Sequence, residues 1–195
     1  MPYQDSYFPI FLSLENRKVL IVGGGEVAYN KLLKLLDFTK DIKVIAPKIS
    51  LKIQKILKKY SLDFEKREYQ EADIKSFDLV VVAVDDISLQ EQIFKEAKRY
   101  KILVNSVDSK KFCDFLFGSI IKRGDLTILI GTNGASPAFS RYLKNYIKKL
   151  LPNDLESFLK ELKSLRVSLP KGIKRMKLLE QKVKNYFLSI DTFKN

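Results

Sequence analysis

The five residues Lys18-Val19-Leu20-Ile21-Val22 run straight into Gly23-Gly24-Gly25, and behind the glycines Ala28, Leu32, Leu35 and Leu36 recur at helical spacing. A β-branched run, a tight turn and an amphipathic helix in that order form the first arm of a βαβ unit. The second strand is Ile42-Lys43-Val44-Ile45-Ala46, stopped by Pro47, which has no N–H to give to a central ladder. Ser50 then caps a helix with apolar positions at Ile53, Ile56, Leu57 and Tyr60, and Leu62-Asp63-Phe64-Glu65 reads as a short third strand. The run Leu79 to Val84 is continuously apolar, as a strand buried on both faces of a parallel sheet must be. Ser88 with Glu91 has the capping-box spacing ahead of a helix through Leu89, Ile93, Ala97 and Tyr100, and residues 102–107 supply the next strand. Strands alternating with helices predict an α/β fold, a Rossmann-type doubly wound parallel sheet with right-handed crossovers.

Beyond residue 113 the pattern changes. Phe115 to Ile121 and Leu126 to Ile130 flank Arg123-Gly124-Asp125, which predicts two strands joined by a turn. Ser136-Pro137 is an N-cap followed by proline at the first helical position, so a helix is expected from there to about Leu150. After Pro152, one apolar stripe runs through Leu155, Phe158, Leu159, Leu162 and Leu165, and a second through Met176, Leu179, Val183 and Phe187. These stripes are expected to pack on each other or on a second subunit. The domains so read are 1–113, nucleotide-binding; 114–150, a small α+β segment; and 151–195, a helical tail.

Composition narrows the chemistry. The chain has 195 residues, a net charge of +13, no histidine and one cysteine, Cys113. Without histidine, His-based triads, general bases and metal ligands are excluded, so acid–base work falls to carboxylates, Lys, Tyr or Cys. One cysteine forms no internal disulfide and makes no Cys-rich metal site, which fits a reducing cytoplasm. No stretch approaches the ~20 apolar residues of a membrane helix, and no signal-peptide pattern opens the chain. Residues 141–195 hold 14 Lys and Arg against 5 Asp and Glu, a surplus that draws polyanions: nucleic acid, acidic lipid or a many-carboxylate small molecule.

Gly23-x-Gly25-x-x-Ala28 has the spacing of a dinucleotide fingerprint, here in its strand–turn–helix setting. The first glycine permits the turn, the second lets backbone approach the pyrophosphate, and a small third residue lets helix and strand close up. The acidic residue expected some twenty positions on is missing, since the second strand ends in Ala46-Pro47-Lys48. Lys48 can take a 2′-phosphate and favour NADP, or lie in solvent while backbone contacts the ribose of NAD. Asp108 follows the strand 102–107 at the carboxyl edge of the sheet, where a carboxylate can abstract a proton or simply cap a turn. Asp85 and Asp86 read as turn formers, and Cys113 as a small buried apolar group.

Seven ordered pieces carry a resemblance: Pro9-Ile10-Phe11, Val22 to Ala28 with Lys31, Ala46-Pro47, Ala83 to Asp86, Val104 to Asp108, Cys113-Asp114-Phe115 and Gly134 to Pro137. Over residues 7–150 the chain resembles the precorrin-2 dehydrogenase family, which includes the nucleotide-binding module of siroheme synthase. The resemblance implies NAD-dependent oxidation of precorrin-2, a polycarboxylate tetrapyrrole, to sirohydrochlorin on the way to siroheme, by a homodimer built through the segment after the nucleotide domain. It implies Asp108 as the catalytic aspartate. It implies cofactor contacts at Gly23, Gly24, Gly25, Glu26, Val27, Pro47 and Lys48, and no resident metal. Some members also act as ferrochelatases on sirohydrochlorin, with ferrous iron as a further substrate. Asn30 stands where many relatives have arginine, and Asn133-Gly134 where two glycines are common. Two other classes stay open on the residues alone. One is a nucleotide-sensing regulator whose basic tail binds nucleic acid, although that tail lacks the interleaved aromatics of a single-strand binder. The other is a methyltransferase with a similar glycine turn.

Overall fold

The structure, a computed structural model, describes residues 7–107 and 109–190. The chain divides into two compact units, Met1–Leu116 and Phe117–Asn195.

In the first unit, strands β1 (Val19–Val22), β2 (Ile42–Ile45), β3 (Asp63–Glu65), β4 (Leu79–Val82) and β5 (Leu103–Ser106) form a parallel sheet in the order β3-β2-β1-β4-β5. Helices α1 (Glu26–Leu36), α2 (Leu51–Tyr60) and α3 (Ile87–Tyr100) make the crossovers. Every residue of β1 and β4 is buried, which is why both read as unbroken apolar runs. On one face, Leu20, Val22, Val80, Val82 and Val104 pack with Ile74, Ile93 and Ala97. Alternation turns Val19, Ile21 and Val81 the other way, and α1, with Ala28, Leu32 and Leu35 buried, packs on β1 and β4. The short β3 closes one edge. At the other, residues 113–115 turn back along β5, and the Val104 N–H finds the Asp114 carboxylate at 3.0 Å. This leaves β5 a protected edge.

The helix starts show how the chain satisfies its loose amides. Ser50 caps α2 by accepting from the Ile53 N–H at 3.4 Å. The cap of α3 differs from the sequence expectation: Asp86, not Ser88, accepts from the Ser88 and Leu89 N–H groups, at 2.8 and 3.1 Å. Glu91 pairs instead with Lys95 along the helix. Glu96, buried on α3, accepts from the Tyr69 hydroxyl and the Ala72 N–H, both at 2.6 Å, and so pins the long β3–β4 connection. Burial first, and the Glu96 carboxylate second, push the Tyr69 phenol far above its ordinary pKa.

In the second unit, β6 (Ser119–Arg123) and β7 (Leu126–Ile130) pair antiparallel around a two-residue turn in which Gly124 has φ +56°. Helix α4 (Pro137–Leu150) packs on this hairpin and is capped by Ser136, whose hydroxyl accepts from the Phe139 N–H at 3.1 Å. Helices α5 (Leu155–Ser168) and α6 (Ile173–Ser189) form a pair in which Phe158 stacks on Tyr186 at 3.8 Å. The Tyr186 hydroxyl donates to Asp154 at 2.9 Å, and its pKa is pushed up to about 12 by burial and by that carboxylate. Of the stripe expected on α6, Leu179 and Val183 turn inward, but Tyr186 takes the place of Phe187, and Met176 is 66% exposed. Among the described residues no helix is long and apolar enough to cross a membrane.

Candidate dinucleotide site

Because Val22, Ile45, Val82 and Ser106 lie level in the sheet register, the loops after β1, β2, β4 and β5 leave it along one edge. The strand order reverses between β1 and β4, and the crevice outside the carboxyl ends at such a reversal is where open α/β sheets take their ligands. The glycine turn sits at that point. Gly23 has φ +129°, and its N–H donates to the Ile45 carbonyl at 2.9 Å. A Cβ there would stand 2.2 Å from the Ala83 carbonyl oxygen, so the chain leaving β4 demands glycine.

Gly24 is likewise closed off by protein. Its Cβ would lie 2.0 Å from the Lys48 carbonyl oxygen, and its own carbonyl accepts from the Ser50 N–H at 2.9 Å. The turn is thereby sewn to the β2–α2 loop that carries Pro47 and Lys48. Gly25 is different, because a Cβ there would meet nothing within 4 Å. It is the N-cap of α1, with no side chain capping the helix. The first-turn N–H groups behind it and the positive end of the helix dipole therefore face open space, a combination suited to phosphate. Ala28, wholly buried, fills the third fingerprint position against the sheet. The residues present fit a dinucleotide.

Around this turn Glu26, Val27, Pro47 and Lys48 are all exposed. The Glu26 carboxylate accepts from Lys52 on α2 at 2.9 Å, and that hydrogen bond and charge raise the Lys52 pKa. On the far side of the reversal a cleft of about 180 Å³ is lined by Val84, Asp85, Ile87, Gln90, Val107 and Ser109. Its size suits a single heteroaromatic ring. Asp108, the expected catalytic aspartate, lies outside the described residues, but both of its chain neighbours line this cleft.

Sequence reasoning missed the contacts among a polar set around the end of β5. Lys31, one turn and a half into α1, reaches the Asn105 side-chain oxygen at 3.3 Å, and the Asn105 amide donates to the Phe115 carbonyl at 2.8 Å. The Cys113 thiol lies between the Ser106 and Ser109 backbones, donating to the Ser106 carbonyl at 3.1 Å. Burial, above all, raises its pKa, although the residue is half-buried and hydrogen-bonded and not the buried apolar group expected. Tyr7 donates to the Lys110 and Cys113 carbonyls, at 3.4 and 3.3 Å, fastening the N-terminal segment to the same loop. Lys31, Asn105, Cys113 and Phe115 each fall in the pieces that carry the family resemblance, but nothing in the sequence showed that they meet. Among the described residues no cluster of acidic or cysteine side chains could hold a metal ion.

Residues 10–119 match the family described as "Putative NAD(P)-binding", and residues 123–150 match that described as "Sirohaem biosynthesis protein central". The siroheme synthase of Nitrosococcus oceani is 38% identical over 146 residues, 75% of this chain and 31% of that protein. That of Photorhabdus laumondii is 37% identical over 154 residues, 79% of this chain and 33% of that protein. The chain thus spans about a third of the length of the curated relatives it matches. The solved structure of SirC, a precorrin-2 dehydrogenase, superposes with a TM-score of 0.76 at 26% identity, over 94% of this chain and 93% of that one. With the glycine turn, the strand order and the match over residues 10–119 all in place, the chain belongs to the NAD(P)-binding family whose fold it has in common with siroheme synthases and SirC.

Proposed function

We propose that this protein is an NAD-dependent precorrin-2 dehydrogenase, converting precorrin-2 to sirohydrochlorin in siroheme biosynthesis. The observation that carries the reading is the likeness to SirC over nearly the whole of both chains, at the point where this chain also has its uncapped glycine turn. The backbone of Gly23, Gly24 and Gly25 with Glu26 and Val27 holds the pyrophosphate side of NAD, and Pro47 and Lys48 flank its adenosine ribose. NAD, when bound, supplies the acceptor for the hydride that the substrate loses. The Val84–Ser109 cleft seats the nicotinamide end, and Asp108 takes the proton released with the hydride. The tetrapyrrole, far larger than this cleft, extends beyond its mouth, and the basic surplus of residues 141–195, with Arg141 exposed on α4, suits a polycarboxylate substrate.

The active species is a homodimer, supported by the exposed stripe Phe139, Tyr142, Tyr146 and Leu150 on α4, whose members are 59%, 73%, 61% and 46% accessible. A lone reduced thiol fits work in the cytoplasm. Ferrous iron is a second substrate where the product is also metallated. Anaerobic incubation with precorrin-2 and NAD, followed by ferrous iron, tests both steps, first by NADH absorbance and then by the spectrum of the metallated ring. Asp108→Asn is expected to lower NADH formation by about 10²-fold or more while NAD affinity stays within about twofold. Turnover unchanged in that variant removes the aspartate from the chemistry, and no NADH from the unaltered chain removes the dehydrogenase reading.

A further inference from the structure

The dinucleotide fingerprint places a carboxylate at the end of the second strand to accept the ribose hydroxyls. Here that position is Ala46-Pro47-Lys48. A carboxylate reaches the same neighbourhood from another element. Glu26 is the first residue of α1 and Lys52 the second of α2, and their side chains meet at 2.9 Å. The pair bridges the starts of the two helices on either side of the β2–α2 loop. That loop is tied to the glycine turn through Ser50 and the Lys48 backbone, so the pair and Lys48 share one small region of surface. Both partners are 60% exposed, which leaves them free to meet a ligand from solvent.

We propose that the Glu26–Lys52 ion pair sets the choice between NAD and NADP, Glu26 standing in for the missing strand-end carboxylate and withholding Lys52 from a 2′-phosphate. The inference rests on the dinucleotide reading and deepens it. A phosphate monoester carries roughly −1.5 to −2 charges at neutral pH. Beside a carboxylate it is repelled, and an ammonium already engaged by that carboxylate offers it little. Remove the Glu26 charge, and Lys52 with Lys48 becomes a pair of uncompensated cations, each a compact point charge of the kind that binds phosphate. Remove the Lys52 charge instead, and Glu26 repels the phosphate without opposition. The two substitutions must therefore act in opposite directions, an outcome that a merely structural bridge between helices would not give.

The test is calorimetric titration of the full chain, Glu26→Gln and Lys52→Gln with NAD and with NADP, at low and at high salt. Glu26→Gln is expected to shift the NADP-to-NAD affinity ratio toward NADP by about three- to tenfold, and Lys52→Gln to shift it toward NAD by a similar factor. Both shifts should shrink as salt rises, since the charges are exposed. NAD binding with a ratio unmoved, or moved the same way by both substitutions, overturns this inference alone. Failure of the unaltered chain to bind either nucleotide overturns the dinucleotide reading and this inference with it.

Discussion

A methyl group added at Gly23 would sit against the Ala83 carbonyl, and one at Gly25 against nothing, so two glycines of one motif carry different burdens. Gly23 must be glycine for the sheet to close, whatever binds there. Gly25 need not be, on the protein's own account. Gly23→Ala is therefore expected to cost about 2–4 kcal/mol of stability, through a left-handed φ and a backbone clash. Gly25→Ala should cost no more than about 1 kcal/mol, the usual loss at an N-cap. Its effect should appear in binding, because the new methyl stands where phosphate oxygens must approach the first-turn amides. Urea melts beside NAD titrations separate the two: a stable Gly25→Ala variant that still binds NAD with unchanged affinity would show that the pyrophosphate lies elsewhere.

At the scale of elements, the edge strand β3 is held by charge more than by packing. Arg67 grips Asp73 with two nitrogens, at 2.7 and 2.8 Å, and reaches Glu65 on β3, which also pairs with Lys43 on β2. Partial burial works to raise the Asp73 pKa, but Arg67 and the Gln70 N–H outweigh it, and the net shift is down from the ordinary 3.8. A carboxylate with a lowered native pKa binds its proton more weakly when folded. Its stabilising contribution is therefore present above pH 3.8 and is lost as pH falls through the lowered native value. Asp73→Asn should melt at lower urea than the parent at neutral pH, and the gap should narrow below about pH 4 as the parent's carboxylate protonates. Urea midpoints measured across pH check this; a gap independent of pH would mean that Asp73 acts by shape alone.

At the scale of the whole molecule, the exposed face of α4 bears on the proposed association. The α4 stripe presents three aromatic rings and a leucine to solvent, more apolar surface than a helix packed on its own hairpin requires. Tyr142→Glu with Tyr146→Glu places two like charges in the stripe, and is expected to dissociate the proposed dimer into monomers in analytical ultracentrifugation. Neither side chain is buried in the protomer, so the helix content should persist. A dimer that survives the pair of substitutions would locate the interface on another face.

The order of strands and helices, the glycine turn, the hairpin and the Ser136-Pro137 helix start were all legible in the sequence, because each is dictated by a local rule of periodicity, turn geometry or capping. The α3 cap was misread, since Asp86 and Ser88 have the same capping chemistry and only the path of the chain leaving β4 selects between them. On α6 the spacing located Leu179 and Val183 but not the inward turn of Tyr186, which is fixed by where that ring meets Phe158 on α5. Lys31 with Asn105 and Glu26 with Lys52 are each brought together by crossovers that lay one helix beside another element distant in sequence. Local sequence thus determined which elements form and where phosphate is invited; tertiary structure alone decided which charges meet, because long-range pairing follows from how the crossovers stack and leaves no mark on neighbouring residues.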